Sequence, residues 1–567
     1  MTQTLLDKGE LEKNVSEAFN LLNEALSTIP STAHDITNET KQFLRNIELS
    51  DEQLKVAKMT STHLLVKGTA GSGKSITLLS RLMQKMSEEI GKSFLFVSYS
   101  EELVKDAENR FKQSEYYKEL QEHNHRVDFF TFHELAHRLL KSIDIKVRKF
   151  RSNHKGINRG EDEVRARILR LMDLLDTDEF KELPAIHTIK NTQNTSFLSQ
   201  EFAWMKGNGF ITEEDYLMCD RVGRGQLPHL IVKQRSTIFR LFEYYQEDQR
   251  VNFYNRVDPE DYALLIMKNF HLFKKGQMYE HIFIDEVQDL QPMQLRVLVA
   301  LNQGTLSFSG DERQRIYKSS PFSYRALGIN ITSGNNVVLK RNWRSTYRIM
   351  KLANSLKFNR SSEDSKYDDE KYFPRPGEKP QIKAFKTYEG MLDEISTKIR
   401  RIYQDYPERT FAIIHRRHKE QDENHLKNYL GNLQIKTYIE RYDENVVKNN
   451  RQHGAKVYLI EAKATKGLEF DYVFILDVDK QHYPHKDEVE SLNKVRQSKS
   501  KSSDFDSDKK ELEEKEKRIL YVSLTRAKQE VFMYYYAPNH PEIKISSFVK
   551  DFDTRDYKAS GFRKTLL

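Results

Sequence analysis

The sequence predicts an α/β fold made of two lobes, each built on a parallel β-sheet, with a helical insertion in the first lobe. Apolar runs of strand length alternate with helical stretches, which is the pattern of parallel strands joined by helices. The runs fall into two sets. The first set is LLVK, FLFVSYS, VDFFTF, HIFIDE and TLSFSGDE, and the second is VVLKRN, TFAIIHRR, AKVYLIEA and DYVFILDV. Two separated sets of strands predict two sheets.

The domain boundaries follow from these runs. Residues 1–45 are polar and predict a helical extension, 46–335 the first lobe and 336–567 the second. The helical insertion of the first lobe is expected at about 140–270, where strand signals are few. A polar insertion at about 486–512 is expected to be disordered. The charged run at 494–517 is expected to begin in that loop and end in a solvated helix, since such runs are usually solvated faces rather than nucleic-acid contacts.

Composition narrows the class of protein. The 567 residues are 38% hydrophobic and 31% charged, with a net charge of +8, which predicts a globular core and permits a nucleic-acid partner without demonstrating one. The sequence has no apolar run long enough to span a membrane and no N-terminal segment typical of a signal peptide. Cys219 is the single cysteine, which excludes an intramolecular disulfide and a cysteine metal cluster. These features predict a protein of the reducing cytoplasm with no membrane contact.

A glycine-rich turn, GTAGSGKS, follows the run LLVK and precedes the helical stretch ITLLSRLMQKM. It matches the pattern G-x-x-x-x-G-K-[ST], in which backbone N–H groups turn inward around phosphate oxygens. The lysine of this pattern reaches the β- and γ-phosphates, and the hydroxyl that follows it can ligate Mg²⁺. The sequence therefore predicts a phosphate-binding loop formed by Gly68, Thr69, Ala70, Gly71, Ser72, Gly73, Lys74 and Ser75.

Carboxylates follow abruptly after the apolar run IFI in the stretch IFIDEVQDLQP. By itself this pattern fits a strand end and a turn equally well. A phosphate loop, however, requires an acidic partner at the end of a neighbouring strand. Asp285 is therefore predicted to hold Mg²⁺ and Glu286 to orient and deprotonate the attacking water. Gln288 and Asp289 are assigned to positioning the loop between the nucleotide and the second lobe.

These motifs stand in a series that resembles the UvrD/Rep-like helicases of superfamily 1, over roughly residues 49–535. In chain order the matching segments are LSDEQ, GTAGSGKS, TFHELAHRLL, DEVQD, GDERQRIY, LKRNWRS, TKGLEF and LYVSLTRAK. The resemblance implies two RecA-like lobes that hydrolyse ATP with Mg²⁺ between them. It also implies an ATP-dependent translocase or helicase that steps along single-stranded DNA from 3′ to 5′.

The resemblance assigns roles to residues around the nucleotide. Gln53 would hydrogen-bond the adenine edge, and Trp343, where the family usually has tyrosine, would stack on the base. Gln314 would contact the γ-phosphate or the attacking water. Arg344 and Arg526 would reach across the cleft and stabilise charge in the transition state.

Further implied roles concern the second lobe and the DNA. Glu469 would face the nucleotide or the interface between the lobes. The residues expected to line the path of the DNA strand are Thr131, Phe132, His133 and Tyr317.

Simpler roles stay open for several of these residues. Arg344 and Arg526 could form surface ion pairs, and Trp343 could be a core aromatic. His133 could be a structural histidine with satisfied hydrogen bonds. Gln53 also fits a helix capping box with the serine three residues before it, and both roles are compatible.

The chain departs from the family pattern in three places. Ser319 stands near the position of a DNA-stacking tryptophan, with Phe322 or Tyr324 as substitutes. Lys463 stands where the family often has histidine. Only about 40 residues lie between 417 and 456, so the large helical insertion that contacts duplex DNA in the family looks missing or vestigial. The resulting hypothesis is a motor that unwinds poorly alone or needs a partner.

A different class of function is also compatible with these departures. The chain could be an ATP-gated regulatory subunit of a larger repair or antiphage-defence complex, with little unwinding of its own. An RNA helicase of superfamily 1 is a third possibility. The predicted partners are single-stranded DNA and a protein such as a nuclease or another subunit of a complex.

Overall fold

The computed structural model of the protein describes residues 42–150, 163–172, 192–219, 232–252, 257–311, 323–358, 370–416, 435, 437–439, 454–465, 468–486, 489–490 and 504–566. Nearly all of the predicted N-terminal extension, residues 1–45, lies outside them. Among the helices within these ranges, none has the length and apolar character needed to cross a membrane.

Six parallel strands form the first sheet, in the order β3-β2-β4-β5-β1-β6. The strands are β1 (His63–Gly68), β2 (Ser93–Ser98), β3 (Arg126–Thr131), β4 (Tyr279–Ile284), β5 (Asn302–Gly310) and β6 (Asn336–Leu339). The helices that the structure describes in this half of the chain are α1 (Asp51–Ala57), α2 (Lys74–Glu88), α3 (Glu101–Lys112), α4 (Tyr117–Glu122), α5 (Phe132–Ser142), α6 (Thr192–Asn208), α7 (Glu213–Met218), α8 (Val232–Asn252), α9 (Asp261–Lys268) and α10 (Pro292–Leu301). Residues 163–172 are also helical.

The central strands are covered on both faces, as expected for a parallel sheet flanked by helices. In β1, Leu64 and Val66 pack with Val56 of α1. Leu65 belongs instead to the larger core that includes α5, α9 and α10. The continuous apolar run of β1 is therefore used on both sides of the sheet.

Helices α1 and α5 each begin at a capping box. Ser50 caps α1 and Thr131 caps α5, and each side chain accepts from the N–H three residues further on. Gln53 and Glu134 complete the boxes by accepting from the N–H of the capping residue. Because Thr131 is also the last residue of β3, the chain passes directly from strand to helix at the carboxyl edge of the sheet.

The helical region between β3 and β4 has an apolar core of its own, which contains Trp204 and residues of α6, α7 and α8. A buried ion network joins this region to the first sheet. Lys206 Nζ lies 2.7 Å from a carboxylate oxygen of Asp258 and 2.9 Å from one of Asp261. Arg167 also contacts Asp258, at 3.0 Å. Asp261 begins α9, which packs in the core of the first sheet.

Seven parallel strands form the second sheet, in the order β13-β7-β12-β11-β8-β10-β9. The strands are β7 (Gln381–Phe385), β8 (Phe411–His415), β9 (Thr437–Ile439), β10 (Val457–Glu461), β11 (Phe470–Ile475), β12 (Ala527–Tyr536) and β13 (Lys558–Ser560). Within the described residues of this half, the helices are α11 (Tyr347–Asn354), α12 (Tyr388–Asp405), α13 (Asp504–Leu524) and α14 (Pro541–Lys544).

The predicted class, α/β with two parallel-sheet lobes, is confirmed. The boundary predicted after residue 335 needs correction, because β6 pairs with β1 in the first sheet. The run VVLKRN therefore begins in the first sheet rather than in the second. An apolar run does not specify its partner strand, so the sequence could not assign β6 to a sheet.

The charged run at 494–517 also differs from its prediction. Helix α13 begins at Asp504, inside the range 486–512 that was expected to be disordered. Leu512 and Glu516 of this helix are buried, and Glu516 contacts the buried Arg416 at 2.9 Å. The expectation of a wholly solvated helix is wrong, because residues spaced by about one turn face the second sheet. Residues 487–488 and 491–503 lie outside the described part of the chain.

Candidate nucleotide-binding site

The turn GTAGSGKS leaves the end of β1 and leads directly into α2. Gly71 and Gly73 have left-handed backbones, with φ of 86° and 83°, which other residues adopt only at an energetic cost. A Cβ on Gly71 would lie 2.5 Å from Cβ of Arg344, and one on Gly73 would lie 2.3 Å from Nε2 of Gln53. The glycines therefore allow both the turn and the close approach of its neighbours. The turn ends at the N-terminus of α2, where free N–H groups favour an anion.

Lys74 folds back over this turn. Its Nζ donates to the carbonyl of Gly68 at 2.9 Å and to that of Thr69 at 3.2 Å. The side chain is buried. The ammonium is thus held against the loop by neutral acceptors, and phosphate oxygens could replace them with a gain in charge complementarity.

Asp285 follows β4 and is buried against the phosphate loop. The hydroxyl of Ser309 donates to its Oδ1, and the hydroxyl of Ser75 also hydrogen-bonds to its carboxylate. Burial, with the neighbouring Glu286 carboxylate, raises the pKa of Asp285 to about 6. The acidic motif and the phosphate loop, more than 200 residues apart in sequence, therefore meet in the fold.

Ser75 and Asp285 supply the hard oxygen ligands that Mg²⁺ prefers. The two side chains are close enough to hydrogen-bond to each other. Burial and the neighbouring Glu286 carboxylate disfavour the ionised form of Asp285, which is why its pKa is raised. A divalent cation beside this carboxylate would stabilise its ionised form. The two residues therefore fit a magnesium ion.

Glu286 has a left-handed backbone, with φ of 53°, at the start of a short 3₁₀ turn over Val287–Asp289. Such a conformation is uncommon for a residue with a side chain and is often found at functional sites. Gln288 Nε2 donates to the Glu286 carboxylate, and Gln288 Oε1 accepts from the N–H of Asp311 at 3.1 Å. Gln288 thus fixes Glu286 relative to the residue that follows β5.

Gln53 of α1 contacts the phosphate loop. Its Nε2 donates to the carbonyl of Ser72 at 3.1 Å, and its Oε1 accepts from the N–H of Ser50 at 3.0 Å. The capping box considered as an alternative is therefore present, and the amide group also contacts the loop. Recognition of adenine by Gln53 stays a prediction.

The segment NWRS, residues 342–345, contacts the same loop. Asn342 Nδ2 donates to the carbonyl of Ala70 at 2.6 Å, and the N–H of Trp343 donates to that of Gly71 at 2.9 Å. The Trp343 side chain is 43% exposed, so it is not the core aromatic considered as an alternative. Stacking of its indole on a base stays a prediction.

Arg344 forms an ion pair with Glu469, with Nε and Oε2 2.8 Å apart. Lys528 contacts the other oxygen of Glu469 at 2.6 Å. Glu469 directly precedes β11 and Lys528 lies in β12, so the pair connects the segment on the phosphate loop to the second sheet. The ion pair that the sequence left open for Arg344 is therefore present, in a partly exposed setting.

Arg526 is 1% exposed, so it is not the surface residue considered as an alternative. Its Nε donates to the carbonyl of Val522 at 3.0 Å and its Nη1 to that of Leu468 at 3.2 Å. Burial, with the nearby Arg344 cation, lowers the pKa of Arg526 to about 10, while the Glu286 carboxylate acts in the opposite direction. Arg344, Arg526 and Glu286 therefore lie within electrostatic reach of one another.

The segment TFHELAHRLL places its first three residues inside the protein. Thr131 and Phe132 are buried, as is His133, whose ring lies 4.7 Å from that of Phe150. Burial lowers the pKa of His133 to about 4, and the side chain hydrogen-bonds to the backbone of Pro259. His133 thus matches the structural alternative. A role of these residues in DNA binding stays a prediction, and burial favours support of a surface over direct contact.

Tyr324 and Lys463, which the sequence places at departures from the family pattern, lie within the described residues. Tyr324 stacks on the core residue Phe308, with ring centroids 5.6 Å apart. Lys463 lies in the 3₁₀ turn Ala462–Thr465 after β10, where its N–H donates to Glu461 at 2.7 Å. Residues 417–456, where the sequence predicts that the large insertion is missing or vestigial, lie mostly outside the described residues. So do Gln314, Tyr317, Ser319 and Phe322.

The site also contains residues that the sequence did not single out. The Oδ1 of Asn342 accepts from the N–H groups of Arg344 and Ser345, each at 3.0 Å, and shapes the segment on the loop. Asn342 could have been found from the sequence, because it stands directly before two candidate residues and asparagine side chains readily hydrogen-bond to nearby backbone. Ser309 gave no such signal, because its contact with Asp285 depends on the pairing of β4 with β5.

Comparison with known proteins follows the same division of the chain. The UvrD/REP helicase N-terminal domain matches residues 49–319, and the UvrD-like helicase C-terminal domain matches residues 337–445 and 439–537. DNA helicase II of Haemophilus influenzae is 24% identical over 333 residues, which are 55% of this chain and 41% of that protein. The ATP-dependent DNA helicase PcrA of Leuconostoc citreum is 22% identical over 330 residues, which are 54% of this chain and 39% of that protein.

A third relative carries a different name. An ATP-dependent helicase/nuclease subunit of Lactobacillus johnsonii is 28% identical over 189 residues, which are 30% of this chain and 15% of that protein. The chain spans about two fifths of the length of the two helicases named first. The two domain matches together cover most of the sequence, and the chain belongs to the UvrD/Rep-like helicase family.

Proposed function

We propose that the protein is an ATP-dependent single-stranded DNA translocase or helicase that hydrolyses ATP between its two lobes. The observation that carries this proposal is the cluster at the phosphate loop. Asp285 touches Ser75, and Glu286 lies within electrostatic reach of Arg526. Nucleotide binding alone does not require a carboxylate base within electrostatic reach of a buried arginine, whereas hydrolysis does.

Each part of the cluster has a role in this proposal. The backbone of the phosphate loop and Lys74 hold the β- and γ-phosphates, and Ser75 and Asp285 hold Mg²⁺. When bound there, the ion would neutralise charge on the phosphate oxygens. Glu286, fixed by Gln288, accepts a proton from the attacking water.

The arginines complete the site from the other side. Arg344 and Arg526 stabilise the negative charge that develops on the transferred phosphoryl group. Gln314, which lies outside the described residues, contacts the γ-phosphate or the water. Gln53 and Trp343 hold the adenine by hydrogen bonding and stacking.

Hydrolysis is coupled to movement through the contacts of residues 342–344. Asn342 and Trp343 hydrogen-bond to the phosphate loop, while Arg344 is paired with Glu469 at the edge of the second sheet. A change in the loop on loss of the γ-phosphate therefore reaches the second lobe through one short segment. The DNA strand would be held by stacking on its bases and by contacts to its phosphates. When the two lobes open and close around this strand, the protein moves along it in steps.

The direction of stepping and the extent of unwinding follow from the family pattern. We expect movement from 3′ to 5′, and weak unwinding by the protein alone, since the sequence between 417 and 456 is too short for the large insertion. Displacement of streptavidin from one end of a single strand measures direction. Robust unwinding of a plain tailed duplex by the pure protein would contradict the second expectation.

A second candidate function is an ATP-gated subunit of a larger repair or antiphage-defence complex. One relative is named as a subunit of a helicase/nuclease, which favours a protein partner. In that case ATP hydrolysis would control the complex rather than drive travel along DNA. The partner would be a nuclease or another subunit.

ATP hydrolysis by the pure protein distinguishes the two candidates. It is measured without nucleic acid and with single-stranded DNA, single-stranded RNA or blunt duplex DNA, beside Glu286→Gln. Stimulation by single-stranded DNA that is lost in the variant supports the motor. Stronger stimulation by RNA would identify an RNA helicase, and hydrolysis indifferent to every nucleic acid would favour the regulatory role.

A further inference from the structure

Arg81 of α2 is fully buried, about two helical turns beyond Lys74. Its guanidinium reaches the far end of α1. Nη1 donates to the carbonyls of Val56 at 3.2 Å and Ala57 at 3.3 Å, and also to that of Met59. Nη2 donates to the carbonyl of Ser61 at 3.3 Å. One side chain thus holds the last carbonyls of α1 and the connection that leads into β1.

The third nitrogen of the guanidinium, Nε, anchors Arg81 to the first sheet. Arg81 Nε donates to Oγ of Ser307 at 3.0 Å, and Ser307 lies in β5 between its pairing partners β1 and β4. The last carbonyls of a helix lack partners within the helix, and they attract a cation. The guanidinium reaches four carbonyls and the Ser307 hydroxyl at once from three nitrogens, whereas an ammonium group has three N–H donors on a single nitrogen.

The other end of α1 contacts the nucleotide site twice. Gln53 donates to the carbonyl of Ser72 in the phosphate loop, at 3.1 Å. Glu52 accepts from the N–H of Lys340, at 3.1 Å, just before the segment NWRS. Helix α1 is only seven residues long, so a displacement of its C-terminal end moves these contacts as well.

We propose that Arg81 is a positioning residue of the nucleotide site, which clamps α1 so that Gln53 supports the phosphate loop. The proposal rests on the proposed function, because it assigns an effect on ATP binding. Arg81 acts through α1 and makes no contact with the nucleotide itself. Its loss therefore weakens ATP binding more than it slows the hydrolysis of bound ATP.

The test compares Arg81→Lys, Gln53→Ala and the double variant. Arg81→Lys keeps the charge but leaves carbonyls without a donor. We expect the KM for ATP with Mg²⁺ to rise roughly tenfold in each single variant, as for the loss of one or two hydrogen bonds, with kcat changed less than twofold. The double variant should rise no further, because both changes remove the same support of the loop.

Arg167→Lys is the matched control, since Arg167 is also a buried arginine but lies in the helical region, where it is paired with Asp258. It should leave the KM for ATP unchanged. Hydrogen exchange adds a readout that does not depend on activity. Amides of residues 51–61 should exchange faster in Arg81→Lys, whereas those of β2 should not.

Two results would overturn the proposal. One is a folded Arg81→Lys protein with the KM for ATP and the exchange of α1 both unchanged. The other is a KM in the double variant equal to the product of the two single effects, which would place Arg81 and Gln53 on separate routes. A wild-type protein that binds no ATP would instead refute the proposed function, and hydrogen exchange alone would then decide whether Arg81 clamps α1.

Discussion

The protein buries two groups of charged side chains, and the two groups are balanced in different ways. In the helical region, Lys206 lies between Asp258 and Asp261, so opposite charges are neighbours. Burial disfavours the Lys206 cation, yet the two carboxylates together raise its pKa above the usual value. In the nucleotide site, Asp285 lies beside Glu286, so like charges are neighbours, and the pKa of Asp285 rises to about 6.

The difference distinguishes a structural group from the proposed catalytic one. With Arg167, which contacts Asp258, the buried cluster around Lys206 has two cations for two carboxylates, so it is balanced and needs no ligand. In the nucleotide site the adjacent charges of Asp285 and Glu286 are alike and locally unbalanced, and strongly shifted pKa values of this kind concentrate at sites that bind ions or do chemistry. A divalent cation beside Asp285 would offset this repulsion, whereas the helical cluster needs no further charge.

The largest effect is expected at the unbalanced site. Glu286→Gln keeps an oxygen that can accept from Gln288, but it removes the proposed base. We expect ATP hydrolysis to fall by about 10²- to 10⁴-fold, as is typical for loss of a general base, with ATP binding retained. Steady-state hydrolysis and equilibrium binding of ATP measure the two quantities.

Glu280→Gln is the control for this substitution. Glu280 lies near the start of β4, the strand that leads to Glu286, and it is bonded to Ser93. Its replacement should leave hydrolysis close to that of the wild type. Equal losses in both variants would show that carboxylates in or just after β4 matter for folding and not for chemistry.

Loss of a charge from the balanced cluster should lower the stability of the protein and leave its ATP hydrolysis unchanged. Lys206→Met leaves Asp258 and Asp261 buried without their shared cation, which is expected to lower the free energy of unfolding by about 3–5 kcal/mol. Urea denaturation followed by tryptophan fluorescence measures this change. A Trp343→Phe background leaves the buried Trp204 as the reporter, since the chain has two tryptophans.

Lys112→Met provides the matched loss of a surface cation. Lys112 pairs with Glu108 at 2.6 Å, but its side chain is 54% exposed. The expected change in the free energy of unfolding is at most about 1 kcal/mol. If the two substitutions had equal effects, the Lys206 cluster would not be the strong contact that its burial indicates.

The sequence predicted the unbalanced site far better than the balanced one. The phosphate loop and the DE pair have fixed local spacing, so Lys74, Asp285 and Glu286 could be found as motifs. Lys206 and Asp258 lie 52 residues apart, and nothing in either segment indicates the pairing. For the same reason the sequence did not predict the contacts of Arg81 or the sheet to which β6 belongs, because both depend on which elements pack together.

His133 offers a third comparison, because its buried ring is neutral. Unfolded His133 takes up a proton near pH 6.5, whereas burial lowers the pKa of the folded side chain to about 4. Protonation between these values therefore favours the unfolded chain. We expect the stability contributed by His133 to be full above pH 6.5 and to fall by about 3 kcal/mol as the pH drops toward 4.

Replacement by glutamine tests this pH dependence, because glutamine can hydrogen-bond but does not titrate. The free energy of unfolding of His133→Gln should fall less steeply than that of the wild type between pH 6.5 and pH 4. His137→Gln, one turn further along α5, serves as the control and should keep most of the wild-type slope. Parallel curves for wild type and His133→Gln would assign the acid sensitivity to other groups.

The smallest effect on stability is expected where charges are balanced but partly exposed. Glu469 bridges Arg344 and Lys528, and Glu394 bridges Lys383 and Lys398 with similar exposure of about a third. Water and salt screen both bridges, so Glu469→Gln and Glu394→Gln should each lower the free energy of unfolding by about 0.2–1 kcal/mol, and by less in 1 M salt.

Only Glu469→Gln should change the rate of ATP hydrolysis, because only Glu469 holds a residue of the segment on the phosphate loop. If both variants hydrolysed ATP at the wild-type rate, the Arg344–Glu469 pair would be a surface contact with no part in the motor.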